Sequence, residues 1–110
     1  KGRLSLNEFA AVTSTNPAKI FGMYPKKGVL APGSDADIVL MNPDMDVTIT
    51  KNILHENVDY TPYEGIQVKG WPVMTMVRGQ AVVENERLQV PLGFGRYINR
   101  KPVKYTELLK

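Results

Sequence analysis

Two runs rich in β-forming residues, Val73-Met74-Thr75-Met76-Val77 and Gln80-Ala81-Val82-Val83-Glu84, are separated only by Arg78-Gly79. A two-residue loop between strands makes an antiparallel hairpin, because such turns match the twist of the strands they join. Arginine stands where asparagine or aspartate is usual, which leaves the turn type open but not the hairpin. Asn85-Glu86 is expected to end the second strand. Ile38-Val39-Leu40-Met41 is apolar throughout and reads as a strand buried on both faces, hence lying between neighbours. Asn42-Pro43-Asp44 is expected to end it, and Val47-Thr48-Ile49-Thr50 alternates as a separate edge strand. Val29-Leu30 is a shorter strand candidate, and Pro32-Gly33-Ser34-Asp35 a turn. Residues 51–70 show no clear period, although Val68 to Gly70 could extend ahead of Trp71-Pro72.

The first quarter of the chain has the other period. Ser5-Leu6-Asn7-Glu8 fits a capping box, and Leu6, Phe9, Ala10 and Thr13 then recur at helical spacing, giving a helix over about 6–14. Asn16-Pro17 reads as a second start, an N-cap followed by proline where no N–H is needed. Gly22 is placed to end that helix. From Val90 onward, Pro91, Gly93, Gly95 and Pro102 suggest an extended tail, with a last helical turn near Glu107. Helices first and strands after give an α+β fragment: two short N-terminal helices, a small, mostly antiparallel β-sheet, and the tail.

The 110 residues have 43% hydrophobic and 23% charged content, a soluble globular balance near the lower size limit for a core without staples. There is no cysteine, hence no disulfide and no thiolate metal site. No apolar run approaches membrane-spanning length and no signal peptide is recognisable, so no membrane partner is expected and a cytoplasmic location is the default. The start at Lys1-Gly2-Arg3, without an initiator methionine, reads as a cut through a longer protein. The net charge of +3 is unevenly spread: residues 1–30 sum to +4, residues 31–64 to −6 and residues 65–110 to +5. The basic residues are scattered among apolar and acidic ones, so complementarity between an acidic middle and basic ends is favoured over nucleic-acid binding.

Catalytic chemistry is hard to find. A two-metal hydrolase centre needs several imidazoles and carboxylates, and His55 is the only histidine. Glu56 beside it does not help, since adjacent residues rarely share a ligand face; His55 is read as a surface or interface residue. No serine has a base to activate it apart from His55. Asp35 and Asp37, two apart, could form an acid/base pair. The stronger reading is structural: Asp35 caps a turn, and Asp37, at the start of a strand, is held by backbone N–H groups or by Lys27. Gly93-Phe94-Gly95-Arg96 resembles a piece of a phosphate loop but lacks the Gly-Lys-Ser/Thr that follows in one. Tail glycines that admit close backbone packing explain it better. Tyr60, Tyr63 and Trp71 are read as interface packing, and Met74 and Met76 as core. No catalytic, cofactor-binding or metal-binding residue is therefore assigned.

The motifs nevertheless carry a resemblance. Thr15-Asn16-Pro17-Ala18-Lys19-Ile20-Phe21-Gly22, Tyr24-Pro25-Lys26-Lys27-Gly28, Gly33-Ser34-Asp35-Ala36-Asp37, Asn57-Val58-Asp59-Tyr60, Tyr63-Glu64-Gly65 and Val77-Arg78-Gly79 together resemble the C-terminal end of the dihydropyrimidinases and hydantoinases. These are the cyclic amidohydrolases of the amidohydrolase superfamily. The Gly-Ser-Asp-Ala-Asp segment is specific only to the superfamily, whereas the Asn-Val-Asp-Tyr and Tyr-Glu-Gly segments narrow it to this branch. The resemblance implies a parent with a zinc-bearing (β/α)8 barrel and a small β-sandwich-like composite domain built from both chain ends. That parent would open dihydropyrimidines or 5-substituted hydantoins at a two-metal site. Residues 1–23 would be the last helical portion of the barrel, 24–90 the C-terminal part of the β domain, and 91–110 a tail reaching toward a neighbouring subunit of a homo-tetramer. None of the family's metal ligands or substrate-contacting residues matches a position here. The chain alone is thus expected to be an inactive structural and oligomerisation segment whose partners are the remainder of its own barrel and β domain. It is also expected to be a partial domain with a mobile tail or a self-association surface. The alternative implied by the same resemblance is the matching segment of a non-enzymatic, dihydropyrimidinase-like scaffold protein.

Overall fold

A computed structural model describes residues 2–103; the expected helical turn near Glu107 lies outside them. The chain divides into two compact units: residues up to Asp37 together with those from Leu92 onward, and Ile38–Pro91.

In the first unit the capping box forms as expected. The Glu8 N–H donates to Ser5 Oγ at 3.3 Å, and Glu8 Oε2 accepts from the Ser5 N–H at 2.8 Å. Helix α1 (Leu6–Ala10) leads into a π-helical turn (Ala11–Thr15) and then into α2 (Asn16–Ile20). The two helices expected from the sequence are therefore one unbroken helical run. Asn16 is not an N-cap: its backbone is right-handed helical, and its N–H donates to the Ala11 carbonyl five residues back. Pro17 is accommodated by a change of winding. The wider π turn precedes a residue that has no N–H to give and whose ring would crowd the carbonyl one α-turn back.

The run ends in a Schellman motif. The Met23 N–H donates to the Ala18 carbonyl at 2.8 Å and the Gly22 N–H to the Lys19 carbonyl at 3.1 Å, with Gly22 at φ +68°. The chain then folds back along the helix. Thr15 Oγ1 donates to the Gly28 carbonyl at 2.8 Å, and a Cβ at Gly28 would lie 2.5 Å from the Ala18 Cβ, so only glycine allows this approach. Val29 and Leu30 are consequently not a strand. Their segment is held to the helix by this side-chain bond and to itself by the Asp35 N–H donating to the Lys26 carbonyl at 2.9 Å.

The second unit is an antiparallel meander in the order β1-β2-β3-β4: β1 (Ile38–Thr48), β2 (Gln67–Val77), β3 (Gln80–Glu84) and β4 (Arg87–Leu88). Asn42-Pro43-Asp44 does not end β1. The ladder passes from Asn42 opposite Trp71 to Asp46 opposite Lys69, so Pro43, Asp44 and Met45 bulge opposite Gly70. Asn42 Oδ1 accepts from the Asp44 N–H at 3.1 Å, a turn interaction contained within the bulge. Pro72, paired with Met41, sits beside the second irregularity of the same ladder. Both prolines thus occupy places where a missing donor breaks no regular bonding.

Among the described residues the apolar 38–41 run has a strand neighbour, β2, on one side only. β1 is an edge strand, and Val39, Leu40 and Met41 are each about half exposed. The hairpin stands where the sequence puts it, with Val77 opposite Gln80. Arg78 at φ 52° and Gly79 at φ 78° define a type I′ turn despite the arginine. A second turn of the same kind, Asn85-Glu86 at φ 47° and 63°, brings in β4, which the sequence reading missed. Asparagine at the first position was the available signal.

Among the described residues only Ala18 and Thr61 are buried, and Leu6, Leu30, Tyr60, Leu92 and Tyr97 are among many large apolar side chains in solvent. Glu86 is a residue with a Cβ held at positive φ, so Glu86→Gly should relieve that strain and raise stability by about 0.5–1 kcal/mol. A higher urea midpoint for this variant is the expected result.

Candidate functional site

The densest charged cluster is the one the paired aspartates make. Lys27 Nζ bonds Asp37 Oδ2 and lies 3.0 Å from Asp35 Oδ2, while Lys26 Nζ lies 3.0 Å from Asp35 Oδ1. The Lys27 side chain is only 14% exposed, and that of Lys26 is 59% exposed. The expected Lys27–Asp37 pair is present. Asp35 differs from expectation: its carboxylate does not cap a turn but receives both lysines, with Lys26 the partner that sequence reasoning missed.

These contacts decide what the carboxylates can do. The hydrogen bonds from Lys27 and then Lys26 hold the Asp35 carboxyl below the usual aspartate range, with desolvation opposing them. Desolvation is the largest single influence on Lys27 and pulls its ammonium down. Its hydrogen bonds to Asp37 and Asp35, together with the Coulombic attraction of the same two carboxylates, outweigh that and leave it above the usual lysine range. A carboxylate neutralised in this way is a poor proton acceptor at neutral pH, and its protonated form is too scarce to donate. The cluster is a clamp on the 26–37 loop.

Of the other candidate residues, His55, Trp71 and Met74 meet at one groove without forming a catalytic or metal-binding group. His55 and Glu86 are exposed at a mostly apolar groove of about 250 Å³ whose wall includes Leu54, Trp71, Pro72 and Met74. Among the described residues no three His, Asp or Glu side chains are grouped as a metal site requires, so these residues do not fit a two-zinc centre. Tyr60 and Tyr63 are exposed, with neither in that groove. Residues 94–103 carry no helix or strand, so Gly93-Phe94-Gly95-Arg96 does not open a helix as a phosphate loop would. The packing explanation for its glycines also fails, because a Cβ at Gly93 or Gly95 would meet nothing within 4 Å. No helix of the described residues is long and apolar enough to cross a membrane.

A helix, a lysine-clamped Gly-Ser-Asp-Ala-Asp loop and an antiparallel meander therefore define the chain by architecture. It belongs to the amidohydrolase family, whose family model matches residues 1–82. Within that family it is 42% identical over 109 residues to the D-hydantoinase of Geobacillus stearothermophilus, covering 99% of this chain and 23% of that protein. It is 46% identical to the dihydropyrimidinase of Rattus norvegicus, covering 92% of this chain and 20% of the relative. Among solved structures, the dihydropyrimidinase of Brevibacillus agri NCHU1002 superposes with a TM-score of 0.90 at 48% identity, over 94% of this chain and 22% of that one. The chain thus spans less than a quarter of the length of these relatives.

The clamp has a pH signature. Asp35 is depressed, so its contribution to stability is in place above the ordinary aspartate range and is lost as pH falls through that range and below. Lys27 is raised, so its contribution is in place up to the ordinary lysine range and is lost as pH rises beyond it. Lys27→Met should lower the unfolding midpoint at pH 7, because it removes the donor that both aspartates share. It should also flatten the acid limb of a plot of unfolding midpoint against pH; an unchanged acid limb would remove the clamp from the account.

Proposed function

We propose that this chain serves as the C-terminal structural and oligomer-forming segment of a larger cyclic amidohydrolase. The parent would hydrolyse the cyclic amide bond of dihydropyrimidines or 5-substituted hydantoins, and the segment has no activity of its own. The observation that carries this reading is the pair of coverages: 99% of this chain matches the D-hydantoinase, but only 23% of that protein is matched. In this reading residues 1–23 belong to the end of a (β/α)8 barrel, 24–90 to the C-terminal part of a small composite β domain, and 91–110 to a tail at a subunit contact of a homo-oligomer. The zinc site, which would supply an activated water, belongs to the barrel.

Physical chemistry supports a supporting role. Each Leu, Phe or Met left in solvent forgoes about 1.5–3 kcal/mol of burial. This chain leaves Leu4 exposed just before its helical run, Leu6, Phe9 and Val12 exposed on that run, and Val39, Leu40 and Met41 about half exposed on an edge strand. A surface of that kind is made to be covered, and an uncovered apolar edge invites pairing.

The test is the 110-residue chain assayed with added zinc against dihydrouracil and a 5-substituted hydantoin. No turnover above the zinc-containing buffer is expected, and measurable hydrolysis would overturn the proposal. Sedimentation of the same sample should show association; a monomer with sharp, dispersed amide signals throughout would count against the covered-surface reading.

A further inference from the structure

We propose that residues 100–103 form a detachable strap over the C-terminal end of α2, with Gly22 as its latch. Gly22 already closes the helix, and its carbonyl is left to accept the Lys101 N–H at 3.1 Å. The approach is close enough to exclude any side chain. A Cβ at Gly22 would collide with the Lys101 carbonyl oxygen and would stand 3.1 Å from both the carbonyl carbon of Lys101 and Cγ2 of Val103. Position 22 is therefore restricted twice, by its positive φ and by the strap lying on it.

Two further observations make the strap separable from the helix it covers. The bonds that cap α2 run from Met23 to Ala18 and from Gly22 to Lys19, and none of their atoms belongs to the strap. Residues 94–103 carry no helix or strand, and among the described residues one backbone hydrogen bond joins the strap to Gly22, so its opening costs little compared with unwinding α2. Strap and helix end together line a groove of about 510 Å³, with Ile20 and Phe21 on one side and Tyr97, Asn99 and Arg100 on the other. Opening the strap dismantles that groove and frees the apolar helix end while the helix stays capped.

Hydrogen exchange of the 110-residue chain tests this, read on one peptide containing Lys101 and another spanning residues 16–21. In Gly22→Asn the residue tolerates positive φ but carries the excluded Cβ. Exchange of the Lys101 peptide should rise roughly fivefold, the scale of one net hydrogen bond, while the 16–21 peptide keeps its protection. Val103→Gly, which removes strap contact without touching the helix, should act in the same direction. Three results would overturn the strap: an unprotected Lys101 peptide in the parent chain, unchanged exchange in both variants, or loss of protection in both peptides together in both variants.

Discussion

Apolar side chains outnumber the places this chain has to bury them. With only Ala18 and Thr61 buried among the described residues, hydrophobic burial sets comparatively little against the conformational entropy of ordering the chain. What order there is comes from backbone ladders, helix caps and one ionic clamp. These specify direction and register well but contribute modest net free energy each. The large structures that this chain resembles have more than four times its length, and the exposed strand β1 and the apolar helical residues are surfaces on which such length could be spent.

The clamp shows how a motif can mark a family without marking its chemistry. Asp35 and Asp37 have the spacing of an acid/base pair, yet Lys27 lies between them and Lys26 takes the outer oxygen of Asp35. The ion pairs consume the reactivity that the spacing suggested and turn it into loop geometry. Gly28 completes that geometry by letting the same loop lie against Ala18, with Thr15 holding its carbonyl.

The helical run and the β1–β2 ladder treat their prolines alike. Pro17 follows a π turn, and Pro43 and Pro72 lie at ladder irregularities. In each case the element continues through a residue that local rules would place at a boundary. In the sequence Pro17 marks a helix start and Pro43 a strand end, because a missing N–H is a local fact. Whether the neighbours can absorb the defect depends on a partner far along the chain, such as Gly70 facing the Pro43 bulge.

What could be read from the residues alone were the features closed within a few positions. They include the Ser5–Glu8 capping box, the end at Gly22, the Arg78-Gly79 hairpin, the Lys27–Asp37 pair and the family resemblance carried by the loop motifs. Tertiary structure decided the rest: β1 at the edge rather than the centre, its passage through Asn42-Pro43-Asp44, the single helical run, and the double lysine on Asp35. An apolar run such as 38–41 states that its side chains prefer to leave water, but not which surface will receive them. Capping and turn bonds join atoms fixed by near neighbours, whereas strand order and burial join atoms whose meeting depends on the whole chain.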